Sequence, residues 1–247
     1  MEEQKMQYMF GIHPVIEAVK AGKKFEKVLL KQSLDSPVFR DLMDLLRKNG
    51  IPFQFVPVER LNRVVKGAHQ GVVACISNID YVPYETLIDT ALASRPDPFI
   101  VILDGVSDVR NLGAIARTLE CAGGSGIIIP AKGGAAINAD AIKASAGALM
   151  RISVAKVPNL RLAAYYLKQS GFRIISVTEK APGLIYGTDM KGPCAFVMGS
   201  EGKGISQSML DLSDDKAAIP MAGEISSLNV SVATSVVLYE AVRQRME

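Results

Sequence analysis

From Phe99 to the C-terminus, short apolar runs alternate with amphipathic stretches in a regular beat, and that alternation constrains the fold more than any other feature. "FIVILDG" reads as a continuous apolar strand and "NLGAIARTLECAGG" as a helix stopped by glycines. "SGIIIP", "RISVAKV", "FRIISVT", "PCAFVMG" and "KAAIPM" read as further strands, and "NADAIKASAGAL", "NLRLAAYYLKQSG", "GISQSMLDL" and the C-terminal stretch as helices. Apolar strands separated by helices predict a mostly parallel sheet covered on both faces. Ligands of such sheets sit in loops beyond the carboxyl ends of the strands. Here those loops are "DGVSDVRNLG", "GSEGKG" and "AGEISSLN".

Residues 1–77 form a second, smaller α/β pattern. "GIHPVIEAVKAG" predicts a helix ending at Gly22, and "KVLLK", "IPFQFVPV" and "GVVACIS" predict strands. "SPVFRDLMDLLRKNG" carries helix punctuation, with Ser36 as cap, Pro37 at the first position and Gly50 as stop. Residues 78–98, rich in prolines and acids around one helical stretch, read as a connector to the domain at 99–247. Charge follows the same division. Residues 1–77 hold 12 Lys/Arg against 8 Asp/Glu, 78–98 hold 1 against 4, and 99–247 hold 15 against 13. Two basic parts around an acidic connector suit an anionic partner and suit solvated surfaces almost as well.

Several classes drop out. The start "MEEQKMQYMF" lacks the apolar core of a signal peptide, and no apolar run is long enough to span a bilayer, so a cytoplasmic location is expected. Cys75, Cys121 and Cys194 are widely spaced without a CxxC pair, which predicts reduced thiols and no metal site. His13 and His69 are the only histidines and receive no role. "GSEGKG" breaks the P-loop spacing, because Val197 stands at its first glycine and Gly204 follows the lysine. No GxGxxG fingerprint follows the first strand of a βαβ unit, so ATP hydrolysis and ordinary dinucleotide binding are disfavoured.

The three loops carry the chemistry-bearing residues. Asn111 stands at a strand-to-helix junction, where helix capping competes with a functional role. Arg117 lies six residues on, among Ile115, Ala116 and Leu119, which predicts a buried side and therefore an anion or a set of acceptors for its guanidinium. A structural ion pair is the competing reading. Glu201 sits beside glycines that leave the backbone bare, as a ligand lying against it would require. Ser226, Ser227 and Asn229 precede the last helix, where each could be a cap or a site residue.

"DVRNLGAIARTLECAG", "FVMGSEGKGIS" and "IPMAGEISSLNVSVATSVVLYEAVRQR" resemble the three ordered motifs of the SpoU family, RNA ribose 2′-O-methyltransferases of the SPOUT class. "FGIHPVIEAV" and "HQGVVA" resemble the small substrate-binding domain attached to many members. Val109 stands where the family commonly has proline, a change that touches loop stiffness. The resemblance implies a deep trefoil knot in the C-terminal domain and S-adenosylmethionine held in it by Gly199, Ile219, Met221 and Leu228. It implies a homodimer with the active site at the subunit interface, and catalytic roles for Asn111, Arg117, Glu201, Ser227 and Asn229.

The family assigns the ribose proton to the arginine matching Arg117. A guanidinium is a poor base, so a second assignment has Arg117 gripping the target phosphate. The expected substrate is a guanosine of large-subunit rRNA. A tRNA target and a non-catalytic ribosome assembly factor that binds RNA are the alternatives.

Overall fold

The computed structural model describes residues 7–246 and divides the chain into two compact units. The first holds the residues up to Asp80 with the short segment Ile137–Ala139, and the second holds Tyr81–Ala136 and the chain from Asp140 onward.

The first unit is built on a four-stranded sheet in the order β1 (Tyr8–Phe10), β4 (Val72–Ile76), β2 (Phe25–Lys31), β3 (Phe53–Val56). β4 runs antiparallel to both neighbours, whereas β2 and β3 are parallel. Helices α1 (Ile12–Lys20) and α2 (Pro37–Lys48) cover one face, with Val15, Leu42 and Leu46 packed on Val28, Leu30 and Val72. The Ser36 hydroxyl accepts the Phe39 amide at 3.2 Å, and Gly50 takes a positive φ of 61° just past the helix end. The cap, the proline and the stop act as their chemistry dictates. A shorter helix, α3 (Val58–Val64), lays Leu61 on the other face, against Leu29, Val56 and Val73.

The second unit is a seven-stranded, fully parallel sheet. Its spatial order is β7 (Ser153–Val157), β6 (Gly126–Pro130), β5 (Phe99–Asp104), β10 (Cys194–Gly199), β8 (Arg173–Val177), β11 (Asp215–Ala218), β9 (Gly183–Leu184). Helices α4 (Tyr84–Ser94) and α7 (Leu160–Gln169) cover one face, where Leu87, Ile88 and Leu167 join Ile100, Ile102 and Val197 in one core. The helix of the segment read as a connector is therefore part of this unit's core. Helices α5 (Val109–Cys121) and α9 (Val230–Met246) pack on each other on the opposite face.

The helix expected over "NADAIKASAGAL" is split. α6 (Ala139–Ala144) ends before Ala146 and Gly147, both at positive φ, and a single 3-10 turn follows at Ala148–Met150. A short helix, α8 (Gln207–Leu210), follows β10.

Strand order makes the site. From β5 the chain steps outward through β6 and β7, then crosses to β8, and β10 fills the gap between β5 and β8. The direction of winding thus reverses at β5 and β10, and a crevice opens beyond the carboxyl ends at such a reversal.

Candidate active site

Asp104 closes β5 and Gly199 closes β10, and the two residues are register partners. Their loops therefore leave the sheet side by side. Asp104 Oδ2 accepts the Ser206 amide at 2.7 Å, tying the two loops together. A Cβ on Gly199 would lie 2.3 Å from the carbonyl carbon of Gly204, so only hydrogen fits there. Ser200 and Gly204 exchange backbone hydrogen bonds of 3.1 and 2.9 Å, and Gly204, at φ 69°, closes the small ring. Glu201 projects from that ring.

In the β5 loop, Asp108 caps α5. Its Oδ1 accepts the amides of Arg110 at 2.7 Å and Asn111 at 3.1 Å. These backbone bonds, from Asn111 and then Arg110, hold the Asp108 carboxyl below its ordinary value. The capping role considered for Asn111 thus belongs to Asp108, because the helix starts at Val109 and Asn111 lies inside its first turn. The Asn111 side chain is released for other partners.

Those partners are Glu201 and Asn229. Glu201 Oε1 accepts Asn111 Nδ2 at 3.1 Å and Asn229 Nδ2 at 3.0 Å, while Asn229 Nδ2 also donates to Asn111 Oδ1 at 3.1 Å. Three side chains, from the first turn of α5, the loop after β10 and the residue before α9, up to 118 residues apart in sequence, close one ring of hydrogen bonds. Glu201 Oε2 accepts none among the described residues. Asn229 is also a cap, since its Oδ1 takes the Ser231 amide at 2.9 Å and its carbonyl the Ala233 amide at 2.9 Å. Cap and cluster are one residue.

Arg117 departs from expectation. It is exposed, and no hydrogen bond or ion pair is seen for it among the described residues. The buried face of α5 is Leu112, Gly113, Ile115, Ala116 and Leu119, and at 3.6 residues per turn position 117 points away from it. It shares that outer face with Arg110, seven residues earlier. It does not join the Asn111–Glu201–Asn229 ring.

Beside the ring opens a cleft of about 360 Å³, a size within the range of small-molecule sites (roughly 300–1,000 Å³). Gly199, Ile219, Met221 and Leu228 all line it, as do Glu201 and Ser227; Asn111, Arg117 and Asn229 do not. Thr178 and Lys180 line it as well, from the loop after β8. No local motif marks them; their place follows from β8 lying next to β10, a neighbour relation that no local pattern encodes. Asp108 and Ser231 were also missed, although an acid just before a helical pattern was a readable cap signal.

His69 and Cys194 are structural. His69 accepts the Gly71 amide at Nδ1 (3.0 Å), which leaves Nε2 to donate to Asn62 at 2.8 Å. Burial pushes the Cys194 thiol up to about 11, and no disulfide joins Cys75, Cys121 and Cys194. No group of potential metal ligands occurs among the described residues, and none of their helices is long and apolar enough to cross a membrane.

The fold and site define a class: an α/β protein with a small-molecule cleft and a polar ring at the carboxyl ends of its parallel sheet, plus a separate α/β unit. Comparison with known proteins gives the family. The SpoU rRNA Methylase family matches residues 98–239, and the domain described as RNA 2′-O ribose methyltransferase substrate binding matches residues 8–82. The chain belongs to the SpoU rRNA methylase family. It is 38% identical to the 23S rRNA (guanosine-2′-O-)-methyltransferase RlmB of Photobacterium profundum, over 96% of this chain and 97% of the relative. Among solved structures it is similar to the SpoU methyltransferase AviRb from Streptomyces viridochromogenes in complex with AdoMet, at 25% identity and TM-score 0.61, covering 98% of this chain and 91% of that one. The TrmH/SpoU tRNA modifying enzyme of A. aeolicus matches at 32% identity and TM-score 0.57, over 66% of this chain and 82% of that chain.

Proposed function

We propose that the chain transfers the methyl group of S-adenosylmethionine to the ribose 2′-hydroxyl of a guanosine in large-subunit ribosomal RNA. The observation that carries this reading is the ring of Asn111, Glu201 and Asn229, whose Glu201 also lines the cleft. The cofactor class fits the cleft: a glycine-rich loop offers backbone, and Met198, Ile219 and Leu228 offer apolar surface. When bound there, S-adenosylmethionine supplies an electrophilic methyl. Gly199, Ile219, Met221 and Leu228, which line the cleft, would hold the cofactor, and Ser227 would stand beside it.

Glu201 does the proton work in this reading. Two amide donors occupy Oε1 and pin the carboxylate, and Oε2 keeps its lone pairs for the ribose hydroxyl. Asn111, with one N–H to spare, orients the ribose. Arg117, exposed and without a partner, grips the target phosphate as a fixed positive charge. Catalysis by Arg117 as a base finds no support, because no acceptor or apolar wall surrounds it.

Similarity to RlmB over 96% of the chain, set against 66% for the tRNA modifying enzyme, favours ribosomal RNA as the substrate. That substrate in turn argues for a cytoplasmic enzyme. The trefoil knot is an expectation from the family, and the position of β10 between the earlier strands β5 and β8 agrees with it. A homodimer is supported by the stripe of Val232, Tyr239 and Met246, which leaves large apolar side chains of α9 48%, 51% and 83% exposed. The substrate assignment is tested by mapping ribose 2′-O-methyl positions in RNA from cells lacking this protein. One guanosine of the large-subunit rRNA is expected to lose its methyl; loss confined to tRNA would overturn the assignment.

A further inference from the structure

Ser231 lies two residues after Asn229, in the first turn of α9, and within the ring hydrogen-bonds to Asn229. We infer that Ser231 is a positioning residue: it fixes which way the Asn229 amide faces and thereby keeps Glu201 Oε2 open for the substrate. This inference rests on the methyltransferase reading above.

The geometry admits one orientation. Asn229 Oδ1 accepts the Ser231 amide at 2.9 Å and the Ser231 hydroxyl at 2.6 Å. Its Nδ2 spends both protons, on Asn111 Oδ1 at 3.1 Å and Glu201 Oε1 at 3.0 Å. A flipped amide would set Nδ2 against the Ser231 N–H and Oδ1 against the carboxylate, donor on donor and acceptor on acceptor. The backbone amide and the hydroxyl of Ser231 thus hold the same oxygen, and the hydroxyl is the one that substitution can remove.

The turn carrying Ser231 is itself anchored. Ser235 Oγ donates to the Ser231 carbonyl at 2.8 Å and lies 3.1 Å from Thr118 Oγ1 on α5. Because α5 also carries Asn111, the two asparagines are held at a fixed separation by a second bridge between their helices. With Asn229 fixed, both amides converge on Oε1, and the other carboxylate oxygen is left over. Were the amide to turn, Glu201 would lose one donor and could rotate, and its free oxygen would no longer face one direction.

Three variants of the full-length protein test this: Ser231→Ala, Ser231→Thr and Ser231→Asp. The aspartate variant separates the roles, because an acid in the first turn of a helix favours the fold while setting an acceptor against Asn229 Oδ1. Single-turnover transfer of labelled methyl to ribosomal RNA is expected to fall about tenfold in Ser231→Ala and about a hundredfold in Ser231→Asp, and to stay within about threefold in Ser231→Thr. Affinity for S-adenosylmethionine by calorimetry, and the melting temperature of Ser231→Asp, should hold. A Ser231→Asp enzyme that transfers methyl at the wild-type rate overturns the inference.

An independent readout is exchange of the Asn229 side-chain amide protons by NMR, slow in the wild type and fast in Ser231→Asp. Unchanged exchange also overturns the inference, whatever the activity. A wild-type protein that transfers no methyl sinks the functional reading alone, and the amide protons still decide the role of Ser231.

Discussion

The two ends of the last helix treat polar groups in opposite ways. At the sheet's amino end, α9 finishes in a closed arrangement. Gln244, 8% exposed, accepts the Met190 amide at 2.9 Å and donates to Thr188 O at 3.0 Å and Glu240 Oε1 at 2.8 Å. Arg245, its side chain 7% exposed, faces Asp97 at 3.5 Å, donates to Gly192 O at 2.9 Å and lies over the Phe99 ring at 4.8 Å. At the carboxyl end, α9 starts from a loop, Met221–Asn229, in which every residue is exposed. There Glu201 keeps an unused oxygen, and Ser226 and Ser227 line the cleft without a hydrogen bond among the described residues. One end spends most of its polar groups on the fold, although Arg245 Nε and Nη1 are buried without a hydrogen-bond partner among the described residues; the other keeps exposed polar groups in reserve for ligands. A helix with both ends has two separable jobs, stability at its tail and chemistry at its head.

Substitutions at the two ends of α9 should therefore act differently. The largest effect is expected at the open end. Glu201→Gln keeps an oxygen for the two amides and replaces the free oxygen with an NH₂ group. Methyl transfer should fall by about 10²–10⁴, with the thermal midpoint nearly unchanged, as kinetics and a melting curve on one preparation will report. At the closed end the reverse holds. Gln244→Ala strands the Met190 amide and loosens the buried Glu240, and should cost on the order of 2–3 kcal/mol in denaturant unfolding. Its activity per folded molecule should stay near wild type. The smallest effect sharpens the picture at the α5 cap. Because the Asp108 carboxyl is held below its ordinary value, it contributes stability that is present above the unfolded-state value (about 3.9). That contribution is lost as pH falls through its lowered folded-state value, and Asp108→Asn should flatten the acid limb of the stability profile slightly.

Much of this was legible in the sequence because it is local. Strands such as "FIVILDG" declare themselves by apolar runs, and Ser36, Pro37 and Gly50 punctuate α2 by their own chemistry. The three motif loops were readable as site loops, since a parallel sheet sends its carboxyl ends to one side. Arg117 was misread through adjacency: buried neighbours at 115, 116 and 119 do not bury position 117, which the helical period turns outward. Strand order was not legible. Nothing local says that β10 enters between β5 and β8, and so nothing local brought Thr178 and Lys180 to the cleft. The short β1 and β9 lacked the length for a readable pattern. Ser231 escaped because its part is defined by the amide it orients, a relation visible only once Asn229 meets Asn111 and Glu201.

The most direct measurement compares wild-type protein with Asn229→Ala in transfer of labelled methyl from S-adenosylmethionine to large-subunit rRNA, with melting curves alongside. The wild type is expected to yield 2′-O-methylguanosine and the variant to lose about a hundredfold in rate, against a lost cap worth only ~1 kcal/mol of stability. An Asn229→Ala protein that transfers methyl at the wild-type rate, or whose loss merely tracks its unfolded fraction, would contradict it.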